Sequence, residues 1–417
     1  GPGAGEHGGR ILYSGPPDGL TRIAESRTAA YLFGAAGRPA PRTPRRADAW
    51  LELRNVTRNN IRGLDVRFPL RSFTAVTGIS GSGKSSLVSQ VLVELLAARL
   101  GQTIDEPSEN EDEAALLAKP AAPIGGALAG AVERIGRLVQ VDQRPIGRTP
   151  RSNLATYTGL FDPVRRLFAR TRIAKARRYD AGRFSFNVSK GRCETCQGEG
   201  FVSVELLFLP SVYTPCPTCH GARYNAKTLE VKYRDRSIAD VLAMTVDDAA
   251  AFFSDEPSVL RPLEVLRQVG LGYLRLGQPA TELSGGEAQR IKLATELHRI
   301  SRGDTLYVLD EPTTGLHPSD VEKLLAQLHG LVDRGNTVIV VEHDMLVIAA
   351  SDWVIDIGPG AGADGGRVVV AGPPLDVARA GKGRTAPYLA AHLRRASSPS
   401  RPEPTRRQAL PPHAAPE

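Results

Sequence analysis

The chain has 417 residues, 41% of them hydrophobic and 24% charged, with a formal net charge of +8. That length allows two or three domains with ample core, and the composition is that of an ordinary soluble protein. No apolar run approaches the roughly eighteen residues of a membrane span and no signal peptide is visible, so no membrane-spanning helix is predicted and the cytoplasm is the expected location.

In chain order, residues 1–17, GPGAGEHGGRILYSGPP, recur as Gly358 to Pro374, GPGAGADGGRVVVAGPP, with positions 1–5, 8–10 and 15–17 identical at a constant offset. This in-register recurrence marks residues 1–36 as the end of a preceding repeat unit and the chain as the later part of a tandem repeat. A strand pair around Arg10–Ser14 and a helix through Leu20–Phe33 are predicted there. Residues 37–48, GRPAPRTPRRAD, read as a linker.

A nucleotide-binding core is predicted over residues 49–149. Strands Trp50–Val56 and Leu64–Pro69 lead to the β-branched run Thr74–Thr77, then to Gly78-Ile-Ser-Gly81-Ser82-Gly83-Lys84-Ser85-Ser86 and a run of helix formers. This fits the phosphate-binding loop in the strand–turn–helix context it requires. Glycines let backbone N–H groups converge on phosphate oxygens at a helix N-terminus. Lys84 can reach the β- and γ-phosphates of ATP, and Ser85 can ligate Mg²⁺. Stretch 103–125 is acidic, then Ala/Pro-rich, and reads as a surface excursion. Strand Leu138–Asp142 runs into Gln143.

Residues 150–282 form an insertion of different character. Between Arg165 and Arg192 ten Lys/Arg stand against one acid, Asp180. Arg172, Lys175, Arg177, Arg178, Arg183, Lys190 and Arg192 are the expected nucleic-acid contacts, with Tyr179, Phe184 and Phe186 interleaved for base stacking. A solvated basic face is the alternative. All four cysteines follow: Cys193-x-x-Cys196, nineteen residues, Cys216-x-x-Cys219. This spacing predicts a four-thiolate zinc site of structural role over 193–219, with Gly198, Gly200 and Gly221 giving the backbone room around the sulfurs. Redox and haem-attachment readings of the C-x-x-C pairs fit less well. Phe201–Leu209 reads as a hairpin strand.

The core resumes over 283–380. Leu263–Val269 and Gly270–Leu276 lead into Ser284-Gly285-Gly286-Glu287, followed by a basic amphipathic helix over Ile291–Leu297. The Ser-Gly-Gly-Glu segment is either a second anion site or a capping box. The apolar strand Thr305–Leu309 ends at Asp310 and Glu311, suited to Mg²⁺ binding and to activating water. Strand Thr337–Val341 ends at Glu342-His343, where the imidazole is placed to meet the γ-phosphate. Residues 381–417 are expected to be a disordered basic, Pro-rich tail.

With phosphate loop, Leu-Ser-Gly-Gly-Glu, Leu-Asp-Glu-Pro and His in this order, the chain resembles ABC-type ATPases. The runs Asp142–Asn153, Ala155–Gly159, Gly182–Asn187, Gly270–Ala280 and Asp310–His317, with the cysteine module, resemble the UvrA family of nucleotide excision repair more closely. The resemblance covers about residues 1 to 390 and matches the C-terminal half of such proteins. Leu154 departs from the proline usual in that motif. The resemblance implies an α/β fold: an ABC-type P-loop ATPase cassette with an inserted helical signature domain carrying the Cys₄ zinc module. It further implies ATP, Mg²⁺ and Zn²⁺ as cofactors, ATP hydrolysis as the activity, and Gln143 as nucleotide sensor for the insertion beginning near Arg148. As partners it implies damaged duplex DNA, a second ABC cassette facing Ser284–Glu287, and a UvrB-type protein engaged by the whole molecule; it implies neither a nuclease centre nor a membrane. A UvrA-like drug self-resistance protein and, further off, an efflux ATPase are the competing expectations.

Overall fold

Three runs are apolar on both faces and become central strands of a largely parallel sheet, the pattern such sheets demand. They are β3 (Phe73–Thr77), β10 (Thr305–Asp310) and β11 (Thr337–Val341). The computed structural model describes residues 1, 3, 5, 8–33, 42–102, 125–147, 149–206, 209–299 and 303–397. Nearly all of the acidic excursion, residues 37–41 of the linker, Arg148 and everything from 398 onward lie outside the described residues.

Six strands form the main sheet in the order β13-β12-β3-β11-β10-β5, with β5 Arg137–Val141, β12 Trp353–Gly358 and β13 Arg367–Gly372. All neighbours are parallel except β13, which pairs antiparallel with β12. A separate antiparallel sheet, β2-β1-β4, comprises β1 Trp50–Arg58, β2 Ile61–Pro69 and β4 Gly125–Gly130.

Side chains alternate along β10, so the main sheet feeds two cores. Leu306 and Val308 join Leu51, Leu53 and Phe68 of the antiparallel sheet and Leu87 and Val91 of the helix after the phosphate loop. Tyr307 and Leu309 point the other way and join Phe161, Phe168, Phe184 and Phe253 of the insertion. The insertion and the core built on the main sheet therefore share one continuous apolar interior.

Several expectations need correction. Arg10–Ser14 is not a strand; a 3₁₀ turn at Pro17–Arg22 and a short helix Arg27–Leu32 follow it. Its later copy is extended because β12 hydrogen-bonds along its length, whereas among the described residues the backbone of Arg10–Ser14 meets only Gly1, which exchanges two hydrogen bonds with Arg10 at 3.0 and 3.2 Å. Gly270–Leu276 is turn, stitched by Val246 N–H to Leu274 O and Asp247 N–H to Gly272 O, both at 2.9 Å. The helix predicted over Ile291–Leu297 spans Gly285–His298, and its buried side carries Gln289 and Arg290 beside Ile291 and Leu293, so it is not cleanly amphipathic.

The tail does not begin at 381. Ala386–Ser397 is a helix, with Ala386 and Leu389 fully buried and Leu393 packed on the same core. That apolar stripe supplies the burial a disordered segment lacks. The described end of the linker is also tied down: Arg45 pairs with Asp352 at 2.6 Å, and its backbone N–H donates to the same carboxylate at 2.9 Å.

Candidate nucleotide site, metal module and basic face

Strand ends set the nucleotide site. The phosphate loop leaves β3 with Gly78 at φ 136°, Gly81 at 75° and Gly83 at 109°, a region that glycine alone occupies without strain. A Cβ at Gly78 would sit 2.1 Å from Ile357 O, so packing as well as dihedral freedom requires glycine there. Lys84 folds over the loop, donating to Gly78 O at 2.8 Å and Ile79 O at 3.0 Å. Burial pushes its ammonium below its usual pKa, while the charges of Glu311, Asp310 and Asp356 oppose that.

Asp310 closes β10 beside the same loop. Its Oδ2 accepts from Ser89 Oγ at 2.9 Å. Burial raises its pKa, and Glu311 next door adds to the rise. Ser89 was not picked out by the sequence motif; it lies one helical turn beyond Ser85, which is the signal that finds it. Glu311 has φ 44°, a costly conformation for a residue with a Cβ, held by its N–H to Val341 O at 2.9 Å. His343 Nδ1 stands 3.8 Å from Glu311 Oε1, and both side chains are exposed. Glu342, by contrast, is fully buried, accepting from Thr313 N and Oγ1, His343 N and Asp344 N. It shapes the backbone that carries His343.

Gln143 donates to Glu311 O at 3.4 Å and lies against Gly285, where an added Cβ would come 3.2 Å from its carbonyl oxygen. Ser284 caps the helix in a full capping box with Glu287. Tyr273 Oη donates to the other oxygen of that carboxylate at 2.5 Å. Among the described residues no hydrogen bond joins Ser284–Glu287 to the phosphate loop. Gln289, missed at the sequence level, donates to Val141 O at 3.0 Å and Asp310 O at 2.8 Å, pinning this helix to two strand ends.

The four sulfurs of Cys193, Cys196, Cys216 and Cys219 lie within 4.8 Å of one another and are buried or nearly so. Cys193–Cys216 and Cys196–Cys219 are 4.0 and 3.6 Å apart. A zinc tetrahedron with bonds of about 2.3 Å has sulfur edges of about 3.8 Å, so the donor set fits such a metal. Gly200 N–H donates to Cys196 Sγ at 3.3 Å, support of the kind metal thiolates use. Burial pushes Cys219 up to about 12 and Cys196 upward. At Cys216 burial also pushes upward, but the N–H groups of Cys219 and Thr218 outweigh it and bring the thiol to about 7. The predicted hairpin is present as β6 (Phe201–Leu206) and β7 (Leu209–Pro215).

Arg223 lies beneath the module, 3% exposed. Its guanidinium donates to Pro150 O at 2.9 Å, Gly198 O at 3.4 Å and Gly277 O at 3.2 Å. It touches both chain crossings of the insertion and one cysteine knuckle.

The basic stretch divides. Arg172, Lys175, Arg178 and Lys190 are exposed and carry no ion pair among the described residues. Arg177 is committed to Glu230 at 2.6 Å, and Arg192 reaches Gln197 at 3.3 Å. Arg183 is built in, donating to Thr228 and Asn225 and lying 4.4 Å over the Tyr179 ring. Phe184 and Phe186 are buried at 0 and 1%, so the expected base-stacking role fails: they are core. No described helix is long and apolar enough to cross a membrane.

No protein-family model matches the chain. "UvrABC system protein A" of Streptococcus pyogenes serotype M6 is 51% identical over 394 residues, covering 94% of this chain and 40% of that protein. The protein of that name from Mycobacterium tuberculosis is 52% identical over 392 residues, 94% of this chain and 39% of its own length. The crystal structure of UvrA2 from Deinococcus radiodurans superposes with a TM-score of 0.86 at 65% identity, covering 94% of this chain and 46% of that one. The chain spans about two fifths of the length of the curated relatives it matches. With its ABC-type α/β core, inserted signature region and four-cysteine cluster, the chain belongs to the UvrA family.

Proposed function

We propose that this chain is an ATP-hydrolysing, DNA-engaging module of a UvrA-type damage-recognition protein in nucleotide excision repair. The observation that carries this reading is the gathering of Lys84, Ser85, Asp310, Glu311 and His343 at adjacent strand ends, with Gln143 joining them to the insertion. The core division proposed is residues 49–149 with 283–380, the insertion being 150–282.

In this reading Lys84 and the loop N–H groups hold the ATP phosphates, and Ser85 and Asp310 hold Mg²⁺. The metal, when bound, neutralises charge on the phosphate oxygens. Glu311 accepts the proton of the attacking water, and His343 donates a hydrogen bond to the transferring phosphoryl. Ser284–Glu287 face the nucleotide of a second cassette. The four cysteines hold zinc structurally, since four protein ligands leave no open position. Arg172, Lys175, Arg178 and Lys190 contact DNA phosphates.

The test is MgATP turnover alongside duplex binding at two salt concentrations. Turnover with salt-sensitive binding supports the reading; nucleotide binding without duplex binding redirects it to a transport-type ATPase. A second reading, a UvrA2-type paralogue with a self-resistance role, is favoured by the 65% identity to UvrA2. Failure to restore ultraviolet survival to a repair-deficient strain, with DNA binding intact, would select it.

A further inference from the structure

A phosphate loop aims its N–H groups forward at the anion, which turns the carbonyls of the same peptides backward. Those carbonyls need donors, or the loop loses its shape. Here the donors come from the repeated motif. Gly362 N–H donates to Gly81 O at 3.0 Å and Gly366 N–H to Ser82 O at 2.8 Å. Asn60, on the β1–β2 turn, spans the two loops: its Nδ2 donates to Gly81 O at 3.3 Å and to Gly362 O at 3.1 Å.

The fit leaves no slack. A Cβ at Gly365 would lie 2.8 Å from Ser82 O and 2.9 Å from Asn60 Nδ2, and one at Gly366 would lie 2.1 Å from Asn60 O. The earlier copy acts as an internal control. Gly8 N–H donates to Gly5 O at 2.9 Å as Gly365 N–H does to Gly362 O at 3.0 Å. Gly5 and Gly362 share φ 57°, while Gly9 and Gly366 have 75° and 73°. The earlier copy makes this turn with, among the described residues, no bond to the phosphate loop, so the turn is encoded in the motif and stands ready-made.

We propose that Gly358–Gly366 together with Asn60 is a rear clamp that positions the phosphate loop, Asn60 being a positioning residue for phosphate binding. This rests on the nucleotide reading above. The clamp acts on the loop carbonyls, so it affects the polyphosphate and not the base.

The experiment compares the full chain with Asn60→Ala and Asn60→Asp, titrated with MgATP and with Mg²⁺–tripolyphosphate, which has no base or sugar. Thermal midpoint and metal content are measured in parallel. Asn60→Ala is expected to weaken both ligands about tenfold. Asn60→Asp is expected to weaken them further, because it sets a carboxylate against two carbonyls and beside an anion site. Thermal midpoint and metal content stay at the starting value. Unchanged affinities, or a loss for MgATP alone, would overturn the clamp while leaving the ATPase reading intact. A starting protein that binds neither ligand would overturn both.

Discussion

The amide nitrogen of Gln289 donates to the carbonyl of Asp310 at 2.8 Å, fastening the signature helix to the end of the strand that carries the carboxylates. The same nitrogen reaches Val141 O at 3.0 Å, just before Asp142 and Gln143. Gln289→Leu leaves two buried carbonyls short of a donor, at a cost of about 1–3 kcal/mol. Turnover should fall more than MgATP affinity, because the phosphate loop itself is untouched. Denaturant titration and steady-state kinetics check both parts.

Glu311→Gln is expected to retain MgATP binding and lose turnover by about a hundredfold or more, the range for removing a general base. Persistent hydrolysis would remove Glu311 from the base position. The exposed His343, 3.8 Å away, is the group to substitute next.

Two substitutions in the basic stretch should separate charge from packing. Phe184→Ala is expected to cost about 3–5 kcal/mol in unfolding, the range for a fully buried aromatic. Arg172→Ala with Lys175→Ala should leave stability unchanged and lower the salt slope of duplex binding by about two. A fall in DNA affinity without a change in that slope would contradict the phosphate assignment.

Removing Cys216, a proposed metal ligand and fully buried, is expected to release the metal and loosen the β6–β7 hairpin. Metal content by absorption spectroscopy and protease cleavage within 193–219 report this directly. Full metal retention in Cys216→Ser would exclude a four-thiolate site.

Stability should also decline on mild acidification through His329. Burial, with Arg42 and Arg45 nearby, holds its pKa at about 4 against an ordinary 6.5. Between those values the unfolded chain binds the extra proton, so stability is full above about 6.5 and falls as pH drops toward 4. His329→Phe should flatten that part of the profile, measured as thermal midpoint against pH.

The strand ends and their charged residues were legible in the sequence because each is encoded locally: an apolar run, then a polar residue where the strand stops. Asn60 and Gln289 were not, since their partners lie far away in sequence and no local pattern announces a tertiary hydrogen bond. Phe184 and Phe186 misled for a different reason. An aromatic among arginines has the same composition whether it stacks on a base or packs in a core, and only burial separates the two. The helix at Ala386–Ser397 did carry a signal, the apolar residues Ala386, Leu389 and Leu393 at helical spacing, hidden within a tail-like composition.

Arg223 holds Pro150, Gly198 and Gly277 with a single guanidinium. Both threads joining the insertion to the core of the main sheet are thus fixed to one planar group, and that group also holds the turn that follows Cys196. Losing this one side chain would strip the donor from three backbone carbonyls at once, on both threads and beside the cysteine cluster.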